Sequence, residues 1–219
     1  MMESATIAAN LQAIQSELPN HVTLVAVSKT KPVELLQAAL NAGQVDLGEN
    51  RVQELVSKAE HFDDQTVRWH HIGHLQTNKV KMVVPHAHLI HAVDSPRLFK
   101  EIQNHSASSN RISQVLLQMH IASEEQKFGF TMDELHAFLE EIHRIPSTHV
   151  RINGLMGMAT FTNDEKQIGR EFKALRNTFD ELNPGHWDTC SMGMSGDWRI
   201  ALNEGSTMVR IGSAIFGSR

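Results

Sequence analysis

Short apolar runs alternate with helically spaced apolar positions along the whole chain. The first pattern is helical, with Ile7, Leu11, Ile14 and Leu18 on one stripe. Eight strand-like runs follow: 21–29, 45–50, 67–73, 88–94, 112–121, 150–159, 188–194 and 207–217. Helical patterns separate them. Pro32 opens the second helix at its first position and Gly43 closes it. The next helix spans Arg51 to about Phe62, another begins near Thr77, and Pro96 starts the one after. Thr131 and Glu134 form a capping box ahead of a face made by Leu135, Phe138, Leu139 and Ile142. Ile168, Phe172, Leu175, Phe179 and Leu182 stripe a further helix, and Ser195 to Asn203 forms the last. The polar stretch Asn104–Asn110 reads as a surface loop.

Strands alternating with helices imply parallel pairing. A doubly wound sheet and a closed barrel share that order. Eight repeats favour a single (β/α)8 TIM barrel over residues 1–219, with an extra N-terminal helix. In such a barrel, chemistry belongs to the carboxyl ends of the strands. Lys29, Asn50, His71, Ser191 and Arg210 all fall at or near those ends.

Composition narrows the classes. Apolar residues make up 41% and charged residues 21%, as in ordinary globular domains. The net charge of −5 and the lack of a basic block argue against nucleic-acid binding. Cys190 is the only cysteine, which suits a reducing cytoplasm. The N-terminus lacks a signal-peptide pattern, and no run approaches the ~18 apolar residues of a membrane span. The chain contains no tyrosine.

Within the first run, Thr23, Val25, Val27 and Lys29 share one face. An ammonium at a barrel mouth is partly desolvated, which lowers its pKa and readies it for Schiff-base chemistry. On position alone, a rim lysine reaching into solvent is the commoner outcome. Lys31 is the weaker candidate, because Pro32 redirects the chain there. After runs seven and eight, Ser195 with Gly196 and Gly212 with Ser213 offer N–H groups to an anion. Asp197 offers the alternative, a helix start that caps itself. Arg210 lies in an apolar strand. It either pairs with a carboxylate such as Glu204 or donates to a ring nitrogen, since guanidinium only donates. A lysine for a carbonyl, a phosphate cradle and a ring-facing arginine together describe pyridoxal 5′-phosphate (PLP).

Several signals carry less. His70, His71 and His74 tempt a metal reading, but adjacent strand residues point oppositely and zinc needs converging ligands. His86, His88 and His91 read as surface or core residues, and Cys190 as a small buried hydrophobe. Met156, Met158, Met192 and Met194 read as gap-fillers, with Met194 also placed to line a ligand. Gly154 and Gly157 in a strand suit close ligand approach or a bulge.

The stretches "AVSKTKP", "LGENRVQE", "WHHIGHLQTNK", "KFGF", "GLMGMA", "SMGMS" and "EGSTMVRIGSAIFG" resemble the YggS/PROSC-type PLP homeostasis proteins. The resemblance spans nearly the whole chain. It implies a barrel like the N-terminal domain of alanine racemase, with Lys29 as the Schiff-base lysine and Arg210 facing the pyridine nitrogen. It also implies phosphate held by Ser191 or Ser195 with Gly212 and Ser213, and Asn50 beside the cofactor. Arg51 departs from the aromatic usual after "GEN". Alanine racemase also uses a tyrosine from a second domain of a partner chain. This chain ends soon after its eighth run and has no tyrosine, so two-base racemisation lacks a base. The expectation is a monomeric cytoplasmic PLP carrier, without catalytic residues, that helps maintain vitamin B6 balance and passes PLP to apo PLP-dependent enzymes. The alternative is a fold-type III amino-acid racemase.

Overall fold

Each of the eight apolar runs forms a strand. These are β1 (Thr23–Val27), β2 (Asp46–Glu49), β3 (Arg68–His71), β4 (Ala87–Val93), β5 (Ser113–Met119), β6 (Val150–Gly157), β7 (Thr189–Met194) and β8 (Met208–Ile211). The computed structural model describes residues 2–62, 66–124, 126–144 and 148–217. Every strand pairs in parallel with the next in chain order, and β8 pairs back onto β1, so the sheet is a closed barrel. The helices are α1 (Met2–Glu17), α2 (Val33–Asn41), α3 (Val52–His61), α4 (Val80–Val83), α5 (Pro96–Ser108), α6 (Met132–Arg144), α7 (Glu165–Leu182), α8 (Trp198–Asn203) and α9 (Ser213–Phe216). A 3-10 turn, Thr77–Lys79, leads into α4.

Two cores lie between helices and the outer face of the barrel. One joins α5, α6 and α7 to β4–β7 through residues such as Phe99, Phe138, Phe172 and Leu175. The other seats α1 against α2, α9 and the first strands through Ile7, Leu11, Leu36, Trp69, Trp198 and Phe216. Full burial of such side chains stabilises by roughly 2 kcal/mol each. A third, smaller cluster contains strand residues only, among them Val25, Leu89, Leu116, Met156 and Met208. It fills the barrel interior, sharing that space with the polar residues described below.

Local signals act as their chemistry requires. Ser95 caps α5 just ahead of Pro96, accepting from the Leu98 N–H. Thr131 and Glu134 exchange hydrogen bonds at the start of α6. Pro32 is the extended N-cap of α2, one position earlier than its sequence role as first helical residue. Two stretches differ in kind. Asn104–Ser108 is the last turn of α5 rather than a loop. Its polar character serves packing, because buried Ser106 bonds the Ser113 hydroxyl of β5 at 2.7 Å. The eighth strand stops at Ile211, and the apolar Ile215 and Phe216 belong to α9. There the Asn10 side chain of α1 donates to the Ile215 carbonyl at 2.9 Å. Those two apolar residues therefore bury under α1 instead of extending the strand.

Candidate functional site

Closure in chain order sets β7, β8, β1 and β2 side by side. The sequence candidates Met194, Ser195, Arg210, Gly212, Ser213, Lys29 and Asn50 lie on these four strands or directly beyond their carboxyl ends. They occupy one half of one mouth.

Lys29 sits in a turn pinned on both sides. The Lys31 N–H closes it by donating to the Ser28 carbonyl at 3.0 Å. The same carbonyl accepts from Lys58 Nζ at 2.9 Å, and the Ser28 hydroxyl donates to Glu49 Oε1 at 2.6 Å. Lys58 Nζ also donates to Glu49 Oε1 at 2.7 Å, and Ser28 and Glu49 are fully buried. Beyond Lys29, Thr30 adopts a left-handed φ of 63°, a strained state for a β-branched residue. Its N–H is held by Glu54 Oε2 at 2.7 Å. Burial pushes the Glu49 carboxyl above the usual range, outweighing the pull of Lys58 and Ser28. Lys29 itself is half-buried between these anchors. Lys31 turns away and donates to the Gly217 carbonyl at 3.0 Å.

Arg210 is 4% exposed, in register with Val25 on β1 and Met194 on β7. Its guanidinium donates to Ser191 Oγ at 2.5 Å and to the Gly157 carbonyl at 3.0 Å. Among the described residues no carboxylate forms an ion pair with it, Glu204 included. Desolvation brings its pKa down to about 10. A buried guanidinium with donors beyond these two is a site for an acceptor.

The two candidate serines share parity and are separated by the turn at Gly193. Ser191 is wholly buried inside the barrel, where it accepts from Arg210. Ser195 is half-buried in the turn after β7 and accepts from the Gly212 N–H at 3.1 Å. Gly193 permits that turn, with φ of +96° and no room for a Cβ, which would lie 2.7 Å from Ala201 Cβ. Asp197 does not cap α8. Its carboxylate accepts from the Met194 N–H at 2.5 Å and closes the same turn. Gly196 and Ser213 stand exposed on either side. Met194 is 38% exposed at the rim. Asn50 is half-buried and tightly overlaid, since a Cβ on Gly73 would lie 2.3 Å from its carbonyl oxygen.

His70 and His71 diverge, as adjacent strand residues should. His70 bonds His91 inside the barrel at 2.9 Å. His71 is fully buried with no hydrogen-bond partner at either ring nitrogen, and burial lowers its pKa to about 4. Among the described residues no His, Cys, Asp and Glu side chains group as metal ligands would. The Cys190 thiol, buried behind β7, is pushed up to about 12 and behaves as a hydrophobe. Glu49, Glu54 and Lys58 went unnoticed in the sequence. Their one signal was a carboxylate ending an apolar strand before a helix with an i, i+4 Glu54–Lys58 pair.

Comparison with known proteins gives a consistent result. The family model for the alanine racemase N-terminal domain matches residues 2–219. A pyridoxal phosphate homeostasis protein of Vibrio alginolyticus is 42% identical over 208 residues, covering 92% of this chain and 88% of the relative. One from Escherichia coli K12 is 38% identical over 209 residues, covering 92% and 87%. The structure of PipY from Synechococcus elongatus with PLP bound superposes with a TM-score of 0.89 at 34% identity, over 96% of this chain and all of that one. Alanine racemase of E. faecalis shares the fold, with a TM-score of 0.77 at 16% identity over 58% of its own length.

Proposed function

The chain belongs to the alanine racemase N-terminal domain family, with pyridoxal phosphate homeostasis proteins among its relatives, and on that premise we propose that it binds PLP and serves intracellular vitamin B6 balance. The observation that carries this reading is Arg210. It is a buried cation with no carboxylate in direct contact among the described residues, beside a pinned lysine and a serine–glycine turn on neighbouring strands. When bound, PLP supplies an aldehyde that condenses with a primary amine, a pyridine nitrogen that accepts a hydrogen bond, and a phosphate.

Lys29 supplies the amine, and its turn holds it in place through Glu49, Lys58 and Glu54. Arg210 donates to the ring nitrogen and, being a cation, keeps that nitrogen unprotonated. Ser195, Gly212 and Ser213 hold the phosphate. Ser191 is occupied with Arg210 and acts behind it. Asn50 and Met194 flank the ring. The whole of residues 1–219 serves as one binding unit.

The protein is a carrier rather than an enzyme. An unprotonated ring nitrogen is a poor electron sink, and the chain has no tyrosine to serve as a second base. It acts as a monomer in the cytoplasm, handing PLP to apo PLP-dependent enzymes. No helix among the described residues is long and apolar enough to cross a membrane.

The test compares wild type with Lys29→Ala after PLP addition, borohydride reduction and peptide mass mapping. One phosphopyridoxyl group on Lys29, absent from the variant, is expected. Equal labelling of both proteins, or none, overturns the reading. Lys29-dependent inversion of an amino acid's stereocentre would replace the carrier with a racemase.

A further inference from the structure

The barrel interior contains an unbroken run of polar side chains that the binding site does not account for. It begins at Arg210, whose Nη1 donates to Ser191 Oγ at 2.5 Å. Ser191 Oγ lies 3.4 Å from His91 Nδ1. His91 Nε2 lies 2.9 Å from His70 Nδ1, and His70 Nε2 lies 2.9 Å from Asp46 Oδ1. Asp46 also receives Arg68 through Nε at 2.7 Å and Nη2 at 2.5 Å. Ser191, His91, His70, Asp46 and Arg210 are all buried. Arg68 is exposed over 47% of its side chain. The run thus crosses the barrel and ends at the opposite mouth. A cavity of about 380 Å³ opens there, lined by residues near the strand starts such as Thr23, His88, Gln114 and Thr189.

With both rings singly protonated, the two ends fix every direction in between. Guanidinium can only donate, and carboxylate can only accept. Ser191 must therefore accept from Arg210, leaving its own proton to donate to His91 Nδ1. His91 then carries its proton on Nε2 and donates to His70 Nδ1. His70 likewise carries its proton on Nε2 and donates to Asp46. Each imidazole is held in one tautomer by a carboxylate far from the lysine.

We infer that Asp46, His70 and His91 are positioning residues that orient the Arg210 guanidinium through Ser191, so that the strand-start mouth helps set the geometry of the site at the other mouth. This rests on the reading of Arg210 as the ring-facing donor. Polarisation along aligned hydrogen bonds strengthens each member, and a neutral Asp46 end would release the alignment. A network that merely fills the core would affect stability and leave the guanidinium unmoved.

Two measurements on the full chain decide it. In wild type without PLP, two-bond 1H–15N spectra at neutral pH should show His70 and His91 as Nε2–H tautomers. An Nδ1–H or doubly protonated form of either overturns the relay, and this needs no variant to fold. Second, Asp46→Asn should shift the Arg210 side-chain 15N resonances and weaken PLP binding about fivefold, the size of coupling expected within one network. Glu134→Ala, at the α6 capping box, serves as a destabilised control that should leave both at wild-type values. Unchanged Arg210 resonances and PLP affinity in Asp46→Asn also overturn the relay. If wild type takes up no PLP, the proposed function falls, while the tautomers and the Arg210 resonances still decide the relay.

Discussion

The two mouths of the barrel treat their arginines in opposite ways. At the strand-start mouth, Asp46 and Arg68 close on each other bidentately, and His70 completes the set. Asp46 is held down to about 2, with His70 and Arg68 outweighing the cost of burying it. At the carboxyl-end mouth, Arg210 is buried with no carboxylate in direct contact among the described residues, Asp197 acting on it only through space, and the loops beside it carry N–H groups and hydroxyls. A self-satisfied cluster specifies structure. A charge left uncompensated in a dry site costs stability, and only a bound partner offsets that cost. The contrast separates architecture from function without reference to any relative.

The sharpest way to break the comparison is Arg210→Met. PLP affinity should fall by roughly ten- to a hundredfold, the value of a hydrogen bond to a charged group. The urea midpoint of the PLP-free protein should stay level or rise, because a buried cation with no contacting carboxylate has been replaced by an apolar chain. A fall in midpoint without loss of PLP binding would reverse the roles of the two mouths. Asp46→Ala should do the converse. It strands His70 and Arg68, and chemical denaturation should register a loss of about 2 kcal/mol, discounted because Arg68 is half in solvent.

His71 sharpens the picture, since it serves neither mouth. Burial lowers its pKa from 6.5 to about 4, so the folded protein binds this proton more weakly than the unfolded chain. Its contribution is therefore fully present above pH 6.5 and is lost as pH falls toward about 4. Between pH 8 and 5 the loss is about 2 kcal/mol. His71→Phe should remove that share of the acid sensitivity, read from urea midpoints at both pH values. The smallest effect is expected from Glu134→Ala, about 1 kcal/mol from the α6 cap, with PLP affinity untouched.

What was legible in the sequence follows from what is local. Eight apolar runs with helices between them sufficed for the barrel, because side-chain periodicity is a property of each segment alone. Lys29 and Arg210 stood out as cations in apolar strands. The rest depended on pairings between distant segments. Ser191 and Ser195 look equivalent along the chain, and only the turn at Gly193 sends one inward and the other to the rim. Glu49 finds Lys58 across a strand–helix junction, and His70 finds His91 only once β3 and β4 are in register. Ile215 and Phe216 are apolar enough for a strand, and α1 alone decides otherwise.

The β1–β8 seam has a temporal consequence. Every other strand pairs with its immediate successor, while this junction joins segments from nearly opposite ends of the polypeptide. Ring closure therefore spans the largest sequence separation of any strand pairing and carries the greatest loop-closure cost. Lys29 follows one edge of that seam and Arg210 lies on the other. On the proposed reading, the lysine exists as an amine from the start of synthesis, but it gains Arg210 as a neighbour only when that last edge docks.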